Sequence, residues 1–386
     1  MKLGPQPWLE GAGAQRIAAA LDIARGSTRL VGGAVRDSLL GLAVSDIDLA
    51  TIFAPDTVVA RLEAAGIKAV PTGIAHGTVT AVDDGFHAEV TTLRRDVATD
   101  GRHALVAFTD DWRADAARRD FTINALYANP MNGVIDDFFG GLDDLVEHRV
   151  RFIGRPLDRI AEDHLRILRF FRFSARFARA LDPAGLAACA ERANDLMALS
   201  RERVRDELLK LLAIDDPVPV LTAMLDHNIL APVLPEMDVA RVALFVRLQA
   251  NERALGCGAG AIRRLAALLP VDAASLDNVA TRLRLSNADR KRLVLTADRS
   301  KGLGEMAYRD GIDSATDRGL LNETNGLSEF VANWSKPALP VSGRHLIARG
   351  LQPGPDISRR LDEIERAWIV AGFPDDIEPI LQKVLN

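Results

Sequence analysis

Cysteine is nearly absent: Cys189 and Cys257 are the only two among 386 residues. A disulfide framework and a cysteine-based metal site are thereby excluded, and a reducing, cytoplasmic setting is expected. No apolar run is long enough to span a bilayer, and the opening MKLGPQPWLEG carries no signal-peptide pattern. The seven histidines form no HxxxH or His-Asp sequence, so none is assigned to a metal and no fused phosphohydrolase domain is expected. Low-complexity tracts and internal repeats are also missing. With a net charge of −5, the chain is not a uniformly basic nucleic-acid binder. Charge distribution says more than the sum. Residues 149–179 hold nine arginines (149, 151, 155, 159, 166, 169, 172, 176 and 179) against Asp158, Glu162 and Asp163, a locally cationic segment in an acidic protein.

What is present divides into two kinds of pattern. AQRIAAALDIA (14–24) has helical spacing, STRLVGG reads as a strand running into a glycine turn, and AVRDSLLG as a helix ended by Gly41. DIDLATI reads as a strand and TVVARLEAAG as a helix closed by Gly66. GTVTAV and HAEVTTL are β-rich runs separated by the turn-like DDG. From about residue 150 the pattern is helical: RIAEDHLRILRFFRFSARFA, GLAACAERANDLMAL and SRERVRDELLKLLA, then helices to the end with almost no strand signal. The expected class is α+β, a mixed-sheet head followed by a long helical remainder.

Asp46 and Asp48, in SDIDLAT, carry the first chemistry. On one strand they share a face, roughly 6–7 Å apart. Two like charges that close repel unless a cation lies between them, and Mg²⁺ prefers one or two carboxylates plus substrate phosphates. A third carboxylate on a neighbouring strand completes a two-metal clamp, and Glu89 in HAEVTT is the best candidate. An isolated DxD is more often a solvated strand face or a turn. Here LVGGAVRDSLLG lies a dozen residues upstream, with paired glycines that admit a ligand close to the backbone and Arg36 within reach of a phosphate.

These motifs, with RRDFTINAL (118–126), EDHLRILRFFRF (162–173) and SRERVRDELLK (200–210), resemble the class II nucleotidyltransferases of the polymerase-β superfamily, specifically tRNA CCA-adding enzymes and their bacterial poly(A) polymerase relatives. The resemblance covers residues 28–210 well. It implies a polymerase-β-type head at 1–148, a helical neck at 149–210 that selects the base, and a helical body and tail at 211–386 that bind tRNA. It further implies that Asp46 and Asp48 hold catalytic Mg²⁺ with Glu89 assisting, that Gly33, Arg36 and Arg119 meet the triphosphate, and that Asp120 and Asn124 handle the ribose. Alone, RRDFTINAL would equally read as an amphipathic helix start with Asp120 as its cap.

EDHLRILRFFRF adds a means of choosing a base. Asp163, Arg166, Arg169 and Arg172 recur every three residues, beside an apolar stripe of Leu165, Leu168 and Phe171. An ionised Asp only accepts hydrogen bonds and an Arg only donates them. Together they match the amino donor and ring-nitrogen acceptor of cytosine and adenine. Uracil and guanine present the reverse pattern and would leave buried groups unmet at roughly 1–3 kcal/mol each. The resemblance assigns this role to Asp163 and Arg166, with Arg169 and Arg172 nearby on nucleotide or phosphate. The expected reaction is template-independent addition of CCA to tRNA from CTP and ATP. An A-adding enzyme and a poly(A) polymerase are alternatives, and a non-catalytic RNA-binding protein is a distant one. PTGIAHGTVT (71–80) lacks the basic G-[RK]-[RK]-F segment of poly(A) polymerases. The loop 93–112, with Arg94, Asp96, Gly101 and Arg102, is of the full length that a purely CC-adding form lacks.

Overall fold

A short strand running into two glycines opens the sheet that carries the site. In the computed structural model, which describes residues 2–44, 46–99 and 104–385, helix α1 (Ala12–Ala20) is followed by β1 (Thr28–Val31) and α2 (Gly33–Leu39). Gly32, between β1 and α2, has φ +67° and ψ −123°, a state L side chains rarely adopt, so the turn requires glycine. Then come β2 (Asp48–Thr51), α3 (Pro55–Ala64), β3 (Lys68–Gly73), β4 (Thr78–Asp83) and β5 (Phe86–Thr92). The DDG turn closes the β4–β5 hairpin with φ +47° at Asp84 and +75° at Gly85, the two positive values that a tight hairpin turn of this twist needs.

Within 93–112, expected as a loop, β6 (Arg94–Thr99) and β7 (Ala104–Phe108) pair antiparallel as a separate two-stranded sheet. Of the residues singled out there, Gly101 and Arg102 lie outside the described residues. Helix α4 (Trp112–Ala117), β8 (Leu126–Ala128), β9 (Ile135–Asp137) and α5 (Gly141–Val146) complete the α/β part. The main sheet runs β3-β4-β5-β2-β1-β8-β9. Its β2–β5 pairing is parallel and sets Asp48 opposite Glu89, while the other pairings are antiparallel.

Two expectations need correction. Asp46 does not lie on the strand with Asp48, because β2 begins at Asp48 and the last ladder bond before it is Glu89 N–H to the Ile47 carbonyl at 2.9 Å. The stretch 159–178 is not one helix either. It folds as α6 (Pro156–Glu162) and α7 (Arg166–Phe177), separated by an extended Asp163 at φ −152° and ψ 107°. The Asp163 carboxylate accepts the Leu165 N–H at 3.1 Å, a local bond that competes with helical pairing. Helices α8 (Pro183–Glu191), α9 (Arg201–Leu212) and α10 (Val218–Asp226) follow.

An aromatic cluster joins α7 to the RRDFT segment. Phe121 lies 5.0 Å from Phe152, 5.3 Å from Phe173 and 6.4 Å from Phe170, centroid to centroid. Thr122 N–H to the Arg151 carbonyl and Ile153 N–H to the Asp120 carbonyl zip the same strands of chain together. The described residues form two compact units, Met1–Pro235 and Glu236–Asn386. The first holds everything above. Among the described residues the second is helical, from Val242–Leu255 to Glu378–Leu385, around a buried charge cluster in which Glu252 and Asp317 pair with Arg263 and Arg264 with Glu252. Among the described residues no helix is long and apolar enough to cross a membrane.

Phe170 is fully buried. Truncation to alanine removes its transfer energy and leaves a cavity, so Phe170→Ala is expected to lower stability by about 3–5 kcal/mol, read from urea unfolding of the full chain.

Candidate active site

In the first unit, a cleft of about 570 Å³ is lined by Gly32, Gly33, Arg36, Asp46, Asp48, Arg118, Arg119, Asp120, Asn124, Asp163, Arg166, Arg169 and Phe173. Ten of the twelve expected site residues are on its wall; Glu89 and Arg172 are not. Another cleft of about 670 Å³ lies around Leu3–Leu9 and Pro130–Gly133. It is mostly apolar, and Glu10 is its one titratable lining residue, so it has nothing to offer a polyphosphate.

The glycine turn places Arg36, on α2, in the lining of this cleft. The Arg36 guanidinium is buried, donates to Asn124 Oδ1 at 2.5 Å and to Asp37 at 2.8 Å, and lies 4.3 Å from the Phe177 ring centroid. Asn124 in turn donates to Asp120 Oδ1 at 3.0 Å, and Asp120 Oδ2 accepts from Arg169 Nε at 2.7 Å. Burial pushes the Asp120 carboxyl up, but the Arg169 cation and the Asn124 hydrogen bond outweigh it and hold it below the usual carboxylate range. Asp120 and Asn124, expected at the ribose, are thus already joined to the arginines on either side of them.

Arg119, two residues past α4, lines the cleft. Its Nε donates to Tyr127 Oη at 3.0 Å and its Nη2 to Asp115 at 3.3 Å. A Cβ added at Gly32 would lie 3.4 Å from Arg119 Nη1, which places that nitrogen beside the glycine turn. Asp46 and Asp48 lie on the same wall. Burial, then the neighbouring Glu89 carboxylate, push the Asp48 carboxyl up to about 6; Asp46 adds to this and Arg119 opposes it.

The expected base-reading pair is held from both sides. Asp163 accepts from Arg203 Nη2 at 2.8 and 3.1 Å. Arg166 donates to Glu162 at 2.6 Å, to the Arg159 carbonyl at 3.0 Å and to the Arg118 carbonyl at 2.8 Å. Arg172 departs from the group. Six residues along a helix rotate a side chain by about 120° from Arg166, and Arg172 instead meets buried Glu207 at 2.5 Å. Glu89 is exposed on β5, opposite Asp48 in register but outside the cleft.

Sequence reasoning missed Arg118 and Phe173 in the lining, and Asp115, Arg203 and Glu207 behind it. Asp115 stands three and four residues before Arg118 and Arg119, a helical ion-pair spacing that could have found it. Arg203 and Glu207 sit in SRERVRDELLK, but no local spacing says that their partners are on another helix.

A mixed sheet presenting a carboxylate pair beside a glycine turn, with arginines across the same cleft and helices after it, defines a nucleotidyltransferase of polymerase-β type. Comparison with known proteins agrees. Residues 28–151 match the poly A polymerase head domain, and residues 180–241 match the probable RNA and SrmB-binding site of polymerase A. The chain is 36% identical to the mitochondrial CCA tRNA nucleotidyltransferase 1 of Mus musculus, over 92% of this chain and 86% of that one. It is 33% identical to the CCA-adding enzyme of Levilactobacillus brevis, over 92% and 93%. The crystal structure of the Bacillus stearothermophilus CCA-adding enzyme in complex with CTP superimposes with a TM-score of 0.75 at 26% identity, covering 98% of both chains. The chain belongs to the family of CCA-adding tRNA nucleotidyltransferases.

The raised Asp48 carboxyl gives a prediction for the metal-free protein. Its folded pKa, about 6, is above the ordinary 3.8, so its favourable contribution is complete below pH 4 and lost as pH rises through 6. Discounted for partial exposure, the loss is about 1–2 kcal/mol. In urea unfolding with a chelator, Asp48→Asn should match the wild type at pH 4 and exceed it by about that amount above pH 7, while being inactive.

Proposed function

We propose that this protein adds CCA, without a nucleic-acid template, to the 3′ end of tRNA lacking all or part of it, using CTP and ATP and releasing pyrophosphate. The observation that carries this reading is that the carboxylate pair, the phosphate-facing arginines and the Asp163–Arg166 pair lie on one cleft of a size suited to one nucleotide.

The donor set fits Mg²⁺. Asp46, Asp48 and Glu89 offer hard carboxylate oxygens, and the raised Asp48 carboxyl marks a surplus of negative charge that a cation relieves. Among the described residues no group of three or more His, Cys, Asp or Glu side chains forms a ready-made cage. Two carboxylates completed by substrate phosphates are the arrangement Mg²⁺ favours. Asp46 and Asp48 would hold the ion, with Glu89 supporting Asp48 from the next strand. When bound it supplies charge neutralisation on the phosphates and an acidified 3′-hydroxyl.

The chain's own residues do the rest. Gly32 and Gly33 let the triphosphate approach the backbone, and Arg119 faces it. Asp163 accepts from the exocyclic amino group of C or A while Arg166 donates to the ring nitrogen. Arg169, anchored on Asp120, keeps the ribose side of the cleft in place, and Arg36 and Asn124 brace it; Arg172 acts through Glu207. In this reading 1–148 is the catalytic head, 149–210 the base-selecting neck, and 211–386 the tRNA-binding body and tail. The low cysteine content, with Cys189 buried and both thiols free, supports a reducing, cytoplasmic location.

The test is extension of a tRNA transcript lacking its 3′ end, with Mg²⁺ and CTP, ATP or both, resolved at single-nucleotide length. Three additions with both nucleotides and two with CTP alone are expected. A single A added only to tRNA ending in CC would identify an A-adding enzyme, and long ladders with ATP alone a poly(A) polymerase. In the same assay Asp163→Asn, which offers an amide donor as well as an acceptor, should lower the preference for CTP over UTP by about tenfold or more.

A further inference from the structure

Four donors converge on one carboxylate behind the cleft. Asp115, on α4, is 2% exposed. Its Oδ1 accepts from Arg118 Nε at 3.1 Å and from the Arg94 backbone N–H at 3.1 Å. Its Oδ2 accepts from Tyr127 Oη at 2.6 Å and from Arg119 Nη2 at 3.3 Å. Tyr127 Oη is itself the acceptor for Arg119 Nε, so the Nε/Nη2 edge of the Arg119 guanidinium is held at both of its nitrogens and Nη1 is left toward Gly32.

Asp115 does not line the cleft, whereas Arg118 and Arg119 both do. A guanidinium held by two nitrogens of one edge keeps its plane, and a triphosphate needs that plane oriented before it arrives. Burial works to raise the Asp115 carboxyl, but the Arg119 and Arg118 cations prevail and hold it below the usual range, so it stays ionised and acceptor-only.

We propose that Asp115 is a positioning residue for nucleotide binding: through Arg118, Arg119 and Tyr127 it pre-orients the arginines that receive the triphosphate and the departing pyrophosphate, without influence on which base is chosen. The proposal rests on Arg119 facing phosphate in the function proposed above. It assigns phosphate affinity to a buried carboxylate in the head and base choice to the neck, as two separable properties.

The experiment uses the full chain with Mg²⁺ on tRNA lacking CCA and on tRNA ending in CC. Asp115→Asn keeps the shape and one acceptor but removes the charge that binds two arginines. The expected result is a rise of about tenfold in KM for both CTP and ATP, with inhibition by pyrophosphate weakened in parallel. The KM for tRNA and the CTP-over-UTP preference should stay within about twofold. Tyr127→Phe, which removes only the bridging hydroxyl, should shift the same parameters in the same direction by less, and it keeps the test informative if Asp115→Asn fails to fold. Arg119→Met supplies the control, and its effect combined with Asp115→Asn should be less than the product of the two. If Arg119→Met raises both KM values while Asp115→Asn and Tyr127→Phe leave them unchanged, the positioning role is wrong and the phosphate reading stands. If Arg119→Met changes neither, the phosphate reading fails and the proposal with it. A loss confined to one nucleotide would also overturn it.

Discussion

The ion pair between Asp120 and Arg169 is the constraint on which the site depends. Asp120 belongs to the segment after α4 and Arg169 to α7, and both are largely removed from water. An isolated charge there would be prohibitive. The pair persists because each partner is further satisfied: Asp120 by Asn124 and the Phe121 N–H, and Arg169 by the more distant Glu207 at 3.9 Å. From this pair, polar contacts run one way to Asn124 and Arg36, the other way to Glu207 and Arg172. The aromatic cluster of Phe121, Phe152, Phe170 and Phe173 excludes water along the same line and supplies the burial that such a polar network does not. Apolar packing thus sets how closely α7 approaches the sheet, and the charges set its register.

That register decides what shares the cleft. With Arg169 on Asp120, the start of α7 brings Arg166 onto the Arg118 carbonyl, and the break at Asp163 turns its carboxylate toward Arg203 rather than along the helix. Had 159–178 been one continuous helix, Asp163 and Arg166 would sit a turn apart and their side chains would run parallel. An extended residue between two helices lets an acceptor and a donor be presented from different directions. In the proposed reaction this is what a base edge requires.

Most of the site's membership was legible in the sequence, and the reasons are local. Gly32 and Gly33 read as a turn because only glycine takes φ +67° cheaply, and DxD and RRDFT carry their spacing with them. What stayed hidden was long-range pairing. Nothing near Arg172 says that its partner is Glu207, 35 residues on, and nothing near Asp163 announces Arg203. Helical periodicity also misled at 159–178, since an apolar stripe continues in phase across a break whose cause is one short carboxylate side chain bonding its own backbone. Strand alternation similarly put Asp46 on β2, where it stands just before it.

Fold and function oppose each other most directly at Asp48. β2 and β5 must pair in parallel to build the sheet, and that register sets two carboxylates opposite one another with Asp46 beside them. A sequence selected for stability alone would place a neutral residue at Asp48. The buried salt bridges behind the cleft resolve their charge internally, whereas burial and the neighbouring Glu89 leave the Asp48 carboxyl raised, against the opposing pull of Arg119. The same cleft therefore holds two kinds of charge: arginines already tied to carboxylates, fixed in direction before binding, and the Asp48 carboxylate, crowded by burial and by Glu89. In the proposed function the first gives geometry and the second affinity for a metal–nucleotide complex, and a neutral, better-packed wall would offer neither.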